Sequence, residues 1–121
     1  MKDEDNAIVV KSKAFGIRMT RLRTYLMSEK HEYEISKQVL RSGMSIGANV
    51  KEAIRGQSKA DFGAKMNIAL KEASETEYWL EMLYEGKFID QKGFDSIVED
   101  CRELIRILTS IVKTTFKGKD K

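Results

Sequence analysis

Proline is absent from all 121 residues. No ring locks φ or removes a backbone donor, so breaks between helices must come from glycine, capping residues or lost periodicity. Cysteine and histidine occur once each. A single cysteine closes no internal disulfide, and Cys101 falls on an apolar stripe, where a thiol acts as a small hydrophobe. A single histidine excludes the paired Glu-x-x-His motifs of a di-iron bundle, although Glu72, Glu75 and Glu81 share one predicted helix. His31 stands beside Glu29, Glu32 and Glu34 in a predicted joint, where a metal would find one imidazole and mobile carboxylates. We read it as a solvated loop residue.

Other functional classes are excluded in the same way. No apolar run reaches the ~18 residues needed to span a membrane, and MKDEDNAIVV lacks the basic flank and apolar centre of a secretory signal. The chain is therefore expected to be cytoplasmic. No base stands near Cys101 or the serines to activate a nucleophile. Gly43-x-x-x-Gly47 runs on into Ala48-Asn49, without the Gly-Lys-Ser/Thr ending of a phosphate loop. Nothing here implies catalysis, a metal or a cofactor.

What is present is helical periodicity, in four segments. They run from about 7 to 29, 34 to 55, 60 to 85 and 91 to 116. Ile8, Phe15, Met19, Leu22 and Leu26 form the first stripe, and Ile35, Val39, Ile46, Val50 and Ile54 the second. Phe62, Met66, Ala69, Ala73, Leu80 and Leu83 form the third. In the fourth, Phe94, Ile97, Cys101, Leu104, Leu108, Ile111 and Thr115 alternate steps of three and four, widened by Val98, Ile105 and Val112. The joints are too short for anything but antiparallel neighbours, which predicts an all-α, up-down-up-down four-helix bundle spanning residues 1–121 as one domain. Ser58 with Asp61 reads as a capping box, Asp90 as a cap for the fourth helix, and Gly56 and Gly86 as left-handed helix ends.

Gly43 and Gly47 lie inside the second helix, where each costs up to ~1 kcal/mol relative to alanine. Close approach of another helix is the natural reason, with Ser42 and Ser45 keeping the surface small. Folding back at Gly56 brings Gly43 level with Ala69 to Ala73 and puts Arg41 near Glu72 and Glu75. A partly buried polar network of Arg41, Ser45 and Asn49 with Glu72, Ser74 or Glu75 is expected to fix the register of helices two and three.

Arg41-Ser42-Gly43-x-Ser45-Ile46-x-x-Asn49-Val50-x-Glu52, then Phe62, Ile68-Ala69 and Lys71-Glu72-Ala73-Ser74-Glu75-x-Glu77, resemble the bacterial 23S ribosomal RNA intervening sequence proteins. The likeness spans essentially the whole chain and is most specific in helices two and three. Ala53 stands where a glycine is common in that family. The resemblance implies a short antiparallel bundle that associates as a ring-shaped homopentamer. It also implies kinship with the accessory variability determinant of diversity-generating retroelements, which works with a reverse transcriptase and nucleic acid. It implies no established activity for an ordinary member.

The net charge of +3 is small, but its distribution is uneven. Lys11, Lys13, Arg18, Arg21 and Arg23 follow one another without an acid, and Arg102, Arg106, Lys113, Lys117, Lys119 and Lys121 enrich helix four and its tail. Lys11, Arg18 and Arg21 share one side of helix one, and Arg102, Arg106 and Lys113 one side of helix four. If the two helices are neighbours, these strips could merge into a surface for RNA or DNA phosphates. Equally, they could be solvated or pair with glutamates across a subunit boundary. No helix-turn-helix, zinc or aromatic RNA-binding motif is visible, so such binding would follow shape and salt rather than base identity. Tyr78, Trp79, Met82, Tyr84 and Ile107 exceed one core-facing stripe and point to a homo-oligomer or a groove for a partner protein. The sequence thus reads as a non-enzymatic oligomeric accessory protein that binds RNA or DNA, or else as a protein-interaction scaffold.

Overall fold

A computed structural model describes residues 3–117, with side chains from residue 6 onward. Lys119 and Lys121 lie outside the described residues. The described residues form four α-helices: α1 (Asp3–Ser28), α2 (Glu34–Ile54), α3 (Lys59–Glu85) and α4 (Gln91–Lys117). They form an all-α four-helix bundle, in which α1 packs on α2, α2 on α3, α3 on α4, and α4 closes more thinly against α1. Helix one begins a turn earlier than its apolar stripe, since no glycine or proline between Asp3 and Ala7 stops it.

The four stripes meet in one core. Ile8, Met19 and Leu26 of α1, Val39 and Ile46 of α2, Met66, Ala69, Ala73 and Leu80 of α3, and Cys101 and Leu108 of α4 are fully buried. Ala53 is buried within this core, so its methyl group has a place. Among the described residues no helix is long and apolar enough to cross a membrane.

The helix ends follow local chemistry, with two corrections. Ser58 Oγ accepts from the Asp61 amide at 3.0 Å, capping α3, while Asp61 reaches back to the amide of Gln57 at 3.3 Å rather than to Ser58. Asp90 Oδ1 accepts from the Gly93 amide at 2.7 Å, capping α4. Neither Gly56 nor Gly86 is left-handed; Lys87 (φ 66°) and His31 (φ 53°) take that conformation instead. Gly86, at φ −77°, is the last residue of helical shape, and the turn comes one residue later. There the Phe88 amide donates to the Leu83 carbonyl at 2.9 Å and the Lys87 amide to that of Tyr84 at 3.0 Å. This pairing satisfies two carbonyls that a helix end leaves open, which offsets the strain of a left-handed lysine. The start of α2 holds a cap that the sequence reading missed: the Glu32 carboxylate accepts from the amides of Ile35 (3.1 Å) and Ser36 (2.8 Å).

The glycines of α2 also need correction, because they face α1 rather than α3. A Cβ on Gly43 would stand 2.5 Å from Met19 Cγ, and one on Gly47 would stand 3.4 Å from the Ser12 carbonyl oxygen. Each helical residue turns about 100° from the last. Ser42 therefore takes the side toward α3, and Gly43, one step on, opens the side toward α1.

Candidate functional site

Helices two and three are tied by polar groups from the buried seam outward. Innermost, Thr76 Oγ1 lies 2.8 Å from Ser42 Oγ and 2.7 Å from the Glu72 carbonyl oxygen, with both side chains fully buried. Toward the surface, Arg41 donates to Glu72 at 3.1 Å and, through its other terminal nitrogen, to Glu75. Trp79 Nε1 donates to the same Glu75 oxygen at 2.9 Å. That indole bond, with the guanidinium beside it, holds the Glu75 carboxyl below the usual carboxylate range despite partial burial. The bond to Glu75, and the charge of both glutamates, raise Arg41 in turn.

The structure thus brings Arg41, Glu72 and Glu75 together and leaves the other three network candidates apart. Ser45 Oγ donates to the Arg41 carbonyl and Asn49 Nδ2 to the Ser45 carbonyl, both at 2.8 Å. Short polar side chains within a helix commonly satisfy themselves on the carbonyl one turn back, which keeps these two on α2. Ser74 points to solvent. Thr76 and Trp79 take the places given to them, and their spacing of four and seven residues from Glu72 is the signal that could have found them.

The basic residues do not merge into one strip. Lys11 pairs with Glu103 at 2.8 Å, and Arg18 pairs with Asp100 at 2.7 Å while donating to Ser96 Oγ at 2.7 Å. The α1 strip therefore faces an acidic row on α4. Arg102, Arg106 and Lys113 lie about a third of a turn around α4 from that row. Arg102 reaches α3 instead, bonding Glu77 at 2.7 Å, which raises its pKa. Arg106 pairs with Glu99 on its own helix at 2.8 Å. Arg21 and Lys113 form no ion pair among the described side chains.

Two openings interrupt the surface. Between α1 and α4 lies a cleft lined by Phe15, Leu22, Phe88 and Leu104 and by the charged residues Arg21, Lys30, Lys87, Glu85 and Asp90. Between α1 and α2 runs a more apolar groove. Ser12, Gly16 and Gly47 form its floor, and Val9, Ile17 and Met44 its walls, with Ala48 on the rim. Those three wall residues keep 36%, 48% and 46% of their surface exposed. The charges on the groove, Lys13, Lys51 and Arg55, are all positive, exposed and without an ion pair among the described side chains.

Most of the surplus apolar residues have partners. Trp79 and Ile107 pack partly buried against the core, and Tyr84 stacks on Phe94 with ring centres 4.6 Å apart. Met82 is half-buried. Tyr78 stands edge-on to Trp79 and stays 51% exposed, and Ile68, on the same outward side of α3, 41%. Cys101 is buried, its Sγ 3.3 Å from the Ala73 carbonyl oxygen. Burial, reinforced by Glu77, pushes its thiol up to about 12. His31 lies 3.5 Å from the Tyr33 hydroxyl. No group of three or more histidine, cysteine or acidic side chains is placed to hold a metal ion among the described residues.

Residues 4–110 match the sequence profile of the family described as 23S rRNA-intervening sequence protein. The chain belongs to this family. A crystal structure from Bacteroides thetaiotaomicron VPI-5482, described as a protein of unknown function from the S23 ribosomal protein family, has the same fold. The two chains share 49% identity with a TM-score of 0.89, over 91% of this chain and 98% of that one. No curated protein matches significantly. For this member of the intervening sequence family, helices two and three carry both the quoted motif residues and the Arg41–Glu75–Trp79 contacts.

Proposed function

We propose that this intervening sequence protein is a non-catalytic helical scaffold that assembles with further copies of itself and holds partner macromolecules on its outward helix faces. The observation that carries this reading is the division of the surface. Four of the six basic residues expected to read phosphates, Lys11, Arg18, Arg102 and Arg106, are spent in ion pairs, and Arg41 is spent on Glu72 and Glu75. Large apolar side chains meanwhile stay open on α1, α2 and α3. Carboxylates tied to arginines are poor proton shuttles, and the buried thiol is no nucleophile at neutral pH.

Self-association is assigned to the outward side of α3, where Ile68 and Tyr78 are exposed and the Trp79 ring is half-buried beside them. Tyrosine and tryptophan commonly anchor interfaces. A homopentamer is the copy number we propose for it. Light scattering at micromolar concentration tests this: a multiple of the chain mass, reduced by Tyr78→Glu, supports the reading, and a monomer at every concentration overturns it.

A second reading, binding of RNA or DNA, is favoured by one observation: Arg21 and Lys113 keep unpaired charges on the outer surface. Fluorescence anisotropy with a structured ribosomal RNA fragment and a DNA duplex at several salt concentrations tests it. Binding that falls steeply with salt and is lost in Arg21→Glu with Lys113→Glu supports contact with phosphates. No binding at low salt removes this reading.

A further inference from the structure

We propose that the groove between α1 and α2 docks an acidic amphipathic helix from a different protein. This rests on the scaffold reading and names the partner's chemistry. The shape comes first. Gly16 and Gly47 add no side-chain bulk to the floor, so an incoming helix can approach to ordinary helix-packing distance, about 8–10 Å between axes, resting on Met44, whose Sδ lies 3.4 Å from where a Gly16 Cβ would stand. The groove extends from Val9 to Thr20 along α1, about 16 Å at the helical rise, or three turns of a partner. Three turns present anchors at i, i+3 or i+4, and i+7.

Charge then selects among helices. Among the described residues every charge on the groove is a cation, and none is engaged in an ion pair. A helix flanked by lysine or arginine is repelled, whereas glutamates or aspartates beside the apolar row find three unspent partners. Nucleic acid fits this groove less well, because its lining is largely apolar and, among the described residues, no aromatic ring lines it for a base to stack on. A second copy fits less well too. The exposed apolar residues of α3, Ile68 and Tyr78, are separated on the same side by Lys71 and Glu75, so charges would fall where the groove needs anchors. The outer side of α4 is polar.

The test uses a synthetic amphipathic peptide with leucines in an i, i+3, i+7 row and glutamates on both flanks, against the same peptide with lysines for glutamates. Methyl signals of Ile17 and Met44 are followed by NMR in the full chain, with anisotropy of labelled peptide for affinity. The expected result is a shift of both methyls with the glutamate peptide alone. Affinity should fall about tenfold in Ile17→Gln or Met44→Gln, with the helical circular dichroism signal kept. Arg55→Glu should weaken the glutamate peptide and strengthen the lysine one, an exchange that misfolding would not produce. Absence of shifts, equal binding of both peptides, or shifts confined to other surfaces overturns the proposal. So does displacement of the peptide by an RNA oligonucleotide, or a fall in particle mass on Met44→Gln, which would make a second copy the occupant. Failure of the scaffold reading shows separately, as a protein that stays monomeric and indifferent to Tyr78→Glu.

Discussion

Thr76 Oγ1 lies 2.8 Å from Ser42 Oγ across the buried seam of helices two and three. The two hydroxyls satisfy each other where water cannot reach. Thr76→Val keeps the shape and orphans Ser42, so urea unfolding should show a loss of about 1–3 kcal/mol. Adding Ser42→Ala should cost less than the sum of the two single changes, with a coupling of about 1 kcal/mol.

Gly43 and Gly47 should respond in opposite directions to alanine. The Gly43 Cβ would collide with Met19, so Gly43→Ala should destabilise by about 1–3 kcal/mol. In a Met19→Ala background this penalty should shrink or vanish. Gly47→Ala meets only ordinary contact distances and should gain up to ~1 kcal/mol from helix propensity. Equal losses at both sites would contradict the close approach at Gly43.

The acid limb of stability should carry the signature of Glu75. Its folded pKa lies below the ordinary value of 4.5, mainly through the Trp79 indole, so the unfolded chain binds the proton more readily. The stabilisation is fully present above that ordinary value and drains away as pH falls through the folded one. Glu75→Gln should flatten this part of the melting-temperature profile, and Trp79→Phe should flatten it partly. A profile unchanged in both would refute the coupling.

Cys101 should be silent toward thiol reagents. With the thiol held to about 12 by burial, labelling at mildly alkaline pH should proceed only through opening of the bundle, and urea should accelerate it in step with unfolding. Rapid labelling of the native protein would place the sulfur elsewhere.

The bundle and its core stripes were legible because a 3.6-residue period survives in the sequence wherever one face is buried, as Met19, Ile46 and Leu108 illustrate. What escaped depended on single-residue offsets. Ser42 and Gly43 are neighbours in sequence and face different helices, and Gly86 sits one position short of the left-handed turn taken by Lys87. The cross-pairing of Lys11 and Arg18 was readable in part, since Ser96, Asp100 and Glu103 recur at helical spacing on α4. The groove of α1 and α2 left a fainter trace, because Gly16 and Gly47 stand on separate helices and share a floor only after folding.

Three of the four helix seams join segments consecutive in the chain, and only the thin closure of α1 on α4 spans it from end to end. Such a topology asks for little loop-closure entropy before contacts repay it, placing the bundle among fast folders, in the microsecond-to-millisecond range. The hairpins of helices two to four can condense first, with helix one zipping onto helix four last. Amide exchange should then be quickest along helix one, and breaking the Arg18–Asp100 pair should speed unfolding while leaving the refolding rate nearly untouched.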